Sequence, residues 1–137
     1  MSRADGSDPP LEVRRATSSD LPHVLELVRN AHRLQLQQRD GRVWSVADAP
    51  LVDEARLHER LGDGLVLLGT VLGVPVGVAV VRHQPVEGGR LAVIEEIFTE
   101  PEARRVGVGR RLIEQVERWA VETGCLGIDS VALPGDR

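Results

Sequence analysis

The sequence has no lysine and no tyrosine, and only one cysteine, in 137 residues. All 17 of its basic residues are therefore arginine. Without lysine, this chain carries no Schiff-base nucleophile and no P-loop lysine. One cysteine, Cys125, excludes a disulfide framework and a cysteine metal cluster. Aromatics make up 2% of the chain (Trp44, Phe98 and Trp119), so the core must be built from Val, Leu, Ile and Ala. No apolar run reaches the ~20 residues that a membrane-spanning helix needs. Positive charge is not in excess: the net charge is −4, which argues against a broad nucleic-acid interface. These readings predict a cytoplasmic protein with no nucleic-acid or membrane partner.

What is present is one domain's worth of aliphatic sequence. Residues 1–10 are rich in Ser, Gly, Asp and Pro and read as a disordered leader, with 11–137 as a single domain. Leu11–Ala16 alternates as a half-buried strand does. Thr17–Asp20 offers helix caps, and Leu21, Val24, Leu25 and Val28 follow at helical spacing. Val52, Ala55, Leu57 and Leu61 predict a second helix, ended by Gly62–Gly64. Leu65–Leu68 and Val74–Val81 read as antiparallel strands joined at Leu72-Gly73, and Pro85–Gly89 as a loop. Leu91–Thr99 is a longer strand, stopped at Pro101. A final helix carries Val108, Leu112, Ile113, Val116 and Ala120 on one face and ends at Gly124. Leu126–Leu133 is the last strand, a parallel neighbour of Leu91–Thr99 because a helix crosses between them. The predicted class is α/β (α+β): a mixed, partly antiparallel sheet flanked by helices.

One segment concentrates chemistry: Ile94-Glu-Glu-Ile-Phe-Thr-Glu-Pro-Glu-Ala-Arg-Arg-Val-Gly-Val-Gly-Arg-Arg-Leu112. A strand feeds a turn, and the turn opens a helix. The first turn of a helix has N–H groups without intrahelical partners and the positive end of the helix dipole. Gly107 and Gly109 let backbone approach a ligand closely. Arg104, Arg105, Arg110 and Arg111 add four positive charges within a net acidic chain. On this pattern an anion site and a helix-opening turn with solvated arginines stand side by side. Neither a Walker loop nor a three-glycine dinucleotide fingerprint fits.

Arg104-x-x-Gly107-x-Gly109, preceded by Thr99-Glu-Pro101, resembles the R/Q-x-x-G-x-G/A motif of the GCN5-related N-acetyltransferases (GNAT). The element order from residue 11 onward is similar too. The resemblance implies an acyl-CoA-dependent N-acyltransferase, moving an acetyl group from acetyl-CoA to a primary amine in a ternary complex without a metal. It implies that the amides of Val106, Gly107, Val108, Gly109 and Arg110 hold the CoA pyrophosphate. Arg104 and Arg105 would frame it, and the backbone of Ile97, Phe98 and Thr99 would meet the pantetheine arm. The strand at 126–133 would splay from 91–99 to make the slot. Glu95 and Glu96 are the candidate bases. Adjacent strand residues face opposite sides, so only one is expected to reach the acceptor. Glu95 is preferred, because similar proteins carry a glutamate at the matching position. The family ordinarily continues with a further helix and strands, so 11–137 reads as a C-terminally incomplete domain. The family's tyrosine, which protonates the departing thiolate, has no counterpart here. A non-catalytic CoA-binding or regulatory module is the alternative, and a phosphate- or nucleotide-binding α/β domain the third reading. A small-molecule or peptide amine is the expected partner, with a homodimer also admitted.

The remaining chemical side chains read as structural. Cys125 fits a packed thiol. His23, His32, His58 and His83 show no ligand pattern. Trp119 reads as packing and Trp44 as a loop anchor. Asp48, Asp53, Glu54 and Glu59 would make the acceptor side acidic, or else form a solvated helix face.

Overall fold

The computed structural model describes residues 10–38 and 52–130. Residues 1–9 of the leader, Trp44, Asp48 and residues 131–133 of the expected last strand lie outside the described residues.

Strand β1 (Leu11–Arg15) leads through a 3₁₀ turn at Ser18–Asp20 into helix α1 (Leu21–Gln38). Helix α2 (Glu54–Asp63) follows, then strands β2 (Leu65–Val71), β3 (Val74–Val86) and β4 (Gly89–Thr99). A second 3₁₀ turn (Pro101–Val106), helix α3 (Val108–Glu122) and strand β5 (Gly127–Ser130) complete the order. The five strands form one sheet in sequence order, antiparallel except for the β4–β5 pair. This is the mixed α/β class read from the sequence, with the crossover placing β4 and β5 in parallel.

The apolar residues of the strands divide between two faces. Val13, Leu65, Leu67, Ala79, Val81, Ala92 and Ile94 face α3, which supplies Val108, Leu112, Val116, Trp119 and Ala120. Val66, Leu68, Val78, Val80 and Phe98 face α1 and α2, which supply Leu21, Val24, Leu27, Val28, Ala31 and Leu57. A sheet covered on both faces needs continuous apolar runs rather than alternation, as β2 shows with six successive buried residues. Four details differ from the sequence reading. Ile113 lies at the exposed edge of α3, with Trp119 completing the buried stripe instead. Ala55 is exposed, leaving Leu57 as the buried anchor of α2. In α1, Leu27 is the buried residue and Leu25 only packs at the margin. Strand β3 runs on to Val86, so the expected loop contracts to a turn at Glu87-Gly88, with Pro85 pairing Arg90 near the hairpin end.

Side chains tie the elements at their starts. Arg14 donates two hydrogen bonds to Asp20, at 2.8 and 3.1 Å, joining β1 to the entrance of α1. That contact, with the Thr17 N–H at 2.8 Å, holds the Asp20 carboxyl well below the usual carboxylate range. Asp53 caps α2 by accepting from the Arg56 N–H at 2.9 Å.

The placement of α3 depends on a glycine pair. Gly69 on β2 and Gly77 on β3 are opposite one another in the ladder. A Cβ at either would lie 2.9 or 2.7 Å from Val108 Cγ1, closer than carbon atoms pack. The paired gap therefore admits Val108, the first residue of α3, and seats the helix N-terminus directly on the sheet.

Candidate active site

The N-terminus of α3 is built by the turn before it. Pro101 opens the 3₁₀ segment, and Gly107 ends it with φ +93°, a left-handed conformation that disfavours side chains. The Arg111 N–H is bonded to the Gly107 carbonyl at 3.1 Å, which leaves the amides of Val108, Gly109 and Arg110 as the unpaired first turn. A Cβ on Gly109 would sit 3.5 Å from Thr99 Oγ1, so the helix start lies against the end of β4. Arg104 Nε donates to the Thr99 carbonyl at 3.0 Å, clasping the turn to the same strand end. The remaining nitrogens of Arg104 and the exposed side chains of Arg105 and Arg110 surround the turn. Residues 97–110 are thus brought together as one surface: backbone amides, a helix dipole and arginines. That arrangement suits an anion of the phosphate class.

The described part of β5 pairs with β4 only from Leu91 to Ile94. Beyond Ile94, β4 is paired by β3 alone among the described residues, through Val80↔Glu96 to Gly77↔Thr99. The β5-facing backbone groups of Ile97, Phe98 and Thr99 are therefore not engaged by the described β5.

At that point β4 carries a bulge. Val80 pairs with Glu96 and Val81 with Ile94, so Glu95 is an extra residue. The alternation expected for Glu95 and Glu96 does not hold, because a bulge turns two successive side chains toward one face. Glu96 shares its face with Val80 and Phe98, which pack under α1 and α2, and Glu95 meets the arginines of α2. The two glutamates have different surroundings. Glu95 is caged: Arg60 Nε lies 2.8 Å from its Oε1, and Arg82 Nε and Arg56 Nη1 lie 3.2 and 3.5 Å from its Oε2. Its side chain is 7% exposed. Glu96 has no ion pair among the described residues. Burial, and secondarily the neighbouring Glu95 charge, pushes its carboxyl up to about 7.

The sequence did not reveal the arginine cage. Arg56 and Arg60 are one helical turn apart on α2 and Arg82 is on β3, so the i,i+4 pair was visible, but its target across the fold was not.

Other candidates resolve as structural. His83 stacks on Trp119 with ring centroids 4.3 Å apart, on the α3 side of the sheet and away from Glu96. Its Nε2 lies 3.0 Å from Thr123 Oγ1. Since that hydroxyl donates to the Trp119 carbonyl, Nε2–H is the donor in the pair. Burial, with the Arg90 charge, holds the His83 pKa below its ordinary value. Cys125 is half-buried with Sγ 3.5 Å from Thr123 Oγ1. His32 is half-buried and its pKa is lowered by burial, while His23 and His58 are exposed. Of the acidic residues, Asp53 serves as a cap and Glu54 faces His58 at 4.0 Å. Among the described residues, no group of three His, Cys, Asp or Glu could hold a metal, and no helix is long and apolar enough to cross a membrane.

Known proteins share both the pattern and the fold. An aminoglycoside N(6')-acetyltransferase type 1 from Acinetobacter genomosp. 13 is 36% identical over 62 residues, 43% of this chain and 42% of the relative. The matched stretch thus spans less than half of that relative's length. A crystal structure of an aminoglycoside N-acetyltransferase in complex with CoA superposes with TM-score 0.66 at 25% identity, covering 96% of this chain and 82% of the other. A Trypanosoma brucei acetyltransferase superposes with TM-score 0.63 at 26% identity, covering 90% of this chain and 87% of the other. The family model of the acetyltransferase (GNAT) family matches residues 25–133, from within α1 through the strand, turn and helix just described, and the chain belongs to that family.

Proposed function

We propose that this chain is an acyl-CoA-dependent N-acyltransferase, moving an acetyl group from acetyl-CoA to a primary amine by direct attack in a ternary complex. The observation that carries the reading is the juxtaposition at the end of β4. A half-buried carboxyl pushed up to about 7, Glu96, lies three residues before Thr99, against which the amide-bearing start of α3 is seated. The membership of a transferase family and the fold shared with a CoA-bound relative support acetyl-CoA as the anion that this turn receives.

In this reading the amides from Val106 to Arg110 take the CoA diphosphate, framed by Arg104 and Arg105. The β5-facing backbone of Ile97–Thr99 meets the pantetheine arm as an added strand would. The acceptor enters from the α1–α2 side, onto which Glu96 opens. Glu96 takes the amine proton, directly or through one water, and the neutral nitrogen attacks the thioester carbonyl carbon. The C–N bond forms, the carbonyl pair moves to oxygen, and a backbone N–H of β4 stabilises that oxyanion. The nitrogen gives its second proton to solvent water as the C–S bond breaks and the amide forms, and the CoA thiolate takes a proton from solvent water in turn. A thiol of ordinary pKa needs no dedicated acid for this step, which accommodates a chain without tyrosine. Glu95, held by three arginines, is the less suited base. The family-based preference for it gives way to Glu96. A cytoplasmic location accords with a CoA-dependent reaction.

The test is thiol release from acetyl-CoA with primary amines, measured across pH. The parent should show an acidic limb near pH 7, where Glu96 must lose its proton to act. Glu96→Gln should reduce turnover about 10²–10³-fold with acetyl-CoA affinity unchanged. Equal turnover by Glu96→Gln would refute the assignment. Acetyl-CoA binding without thiol release for any amine would identify the chain as a CoA-binding module.

A further inference from the structure

Three guanidiniums meet one carboxylate beside Glu96, and they do not share it evenly. Arg60 takes Oε1 of Glu95 and is met again by Asp63 at 3.2 Å and Glu59 at 3.8 Å. It is the neutralised and buried member, with its side chain 11% exposed. Arg56 and Arg82 have only Oε2 of Glu95, and their side chains are 45% and 29% exposed. Among the described residues neither has another carboxylate within salt-bridge distance. Asp53 is occupied as the cap of α2, and Gln84, which accepts from Arg82 Nη1, carries no charge. Two guanidiniums on a single carboxylate oxygen leave positive charge unneutralised and most of their N–H donors unused. A planar fork of such donors matches a second carboxylate better than any neutral group.

The position of this charge matters. Arg82 lies two residues beyond Val80, the cross-strand partner of Glu96, and on the same face. Two residues along a strand is roughly 7 Å, so the guanidinium of Arg82 and the carboxyl of Glu96 rise from neighbouring positions on one face, within the span of one small acceptor.

We propose that Arg56 and Arg82 form a subsite for a carboxylate of the acceptor, so that the acceptor is an amine bearing a carboxylate a few bonds from its nitrogen. This rests on the reading of Glu96 as the place where the amine loses its proton. A polycationic aminosugar would instead bring its charges against two incompletely neutralised arginines.

The experiment has a binding arm and a turnover arm, both on the full chain. In the first, N-acetyl-β-alanine and its uncharged amide are titrated while the Nε–H signals of Arg56 and Arg82 are followed by NMR. The acid should bind saturably, shift both signals and outbind the amide about tenfold or more, as a charge-assisted contact implies. Arg56→Gln and Arg82→Gln should each remove most of that advantage. Equal binding of acid and amide, no binding of the acid, or an advantage retained in both variants would overturn the subsite. In the second arm, kcat/KM per neutral amine should favour β-alanine over β-alaninamide, and over an aminoglycoside, by about the same factor. Turnover with no preference for the carboxylate would overturn the subsite and leave the transferase reading standing. Preferential binding of the acid with no turnover of any amine would uphold the subsite and count against the transferase reading.

Discussion

At the scale of the residue, Glu95 and Glu96 are the same side chain one position apart, and their surroundings differ. Glu95 has its carboxyl gripped by three guanidiniums. Glu96 is a half-buried acid with no ion pair among the described residues, pushed up to about 7 by desolvation and then by the Glu95 charge. Removing the Glu95 charge takes one of three carboxylates from Arg60 and the sole one from Arg56 and Arg82 among the described residues, so Glu95→Gln should cost roughly 1–3 kcal/mol, read as a lower urea midpoint. Because the Glu95 charge raises the Glu96 pKa, the same substitution should move the acidic limb of the pH–rate profile below pH 7. A stability loss with an unmoved limb would show that the two carboxyls are not coupled. For Glu96 the sign reverses. Its folded pKa lies above the unfolded one, so its contribution to stability is present below the ordinary carboxylate pKa and is lost as pH rises through about 7. Glu96→Gln should therefore stabilise the chain at pH 8–9 by about 1–3 kcal/mol while lowering turnover. Destabilisation by Glu96→Gln throughout that range would contradict the burial argument.

At the scale of the element, α3 is positioned by what the sheet omits. Gly77→Ala would put a Cβ 2.7 Å from Val108 Cγ1 and 3.2 Å from Leu112 Cδ1. Overpacking of that kind costs about 1–3 kcal/mol and lifts the helix start away from Thr99. Weakened acetyl-CoA binding together with a lowered melting temperature is the expected pair of effects. Unchanged affinity would mean that the seating of α3 on the sheet does not shape the loop. The elements themselves were largely legible in the sequence. Valine-rich runs, the Leu72-Gly73 turn and the glycine at 107 each act locally, and local signals survive without the fold. The bulge at Glu95 carries no glycine or proline to mark it. It arises from the register between β3 and β4, which no single segment encodes. The arginine cage and the Gly69–Gly77 pair were unreadable for the same reason, since they join residues 8 to 39 positions apart. Ile113 and Ala55 were misread because helical periodicity gives an apolar arc without saying where its edge falls.

At the scale of the whole molecule, the sheet separates two functions. Its α3 face holds His83, Trp119 and Thr123 in a packed, hydrogen-bonded cluster. Its other face brings α2, β3 and the bulge of β4 together around the two glutamates. The proposed phosphate surface lies where β4 passes into α3, at the edge between these faces, and in the proposed reading a long ligand runs from the loop to the carboxyl. The candidate loop was legible in the sequence because its glycines and arginines are contiguous. The acceptor side was not, because its charges come from three separate elements. The central claim is that this edge receives an acyl-CoA, and a calorimetric titration with acetyl-CoA, with ATP as the control, tests it most directly. Saturable binding of acetyl-CoA but not ATP, lost in Gly107→Glu, is the expected result. No binding of acetyl-CoA, or equal binding of ATP, would contradict the account.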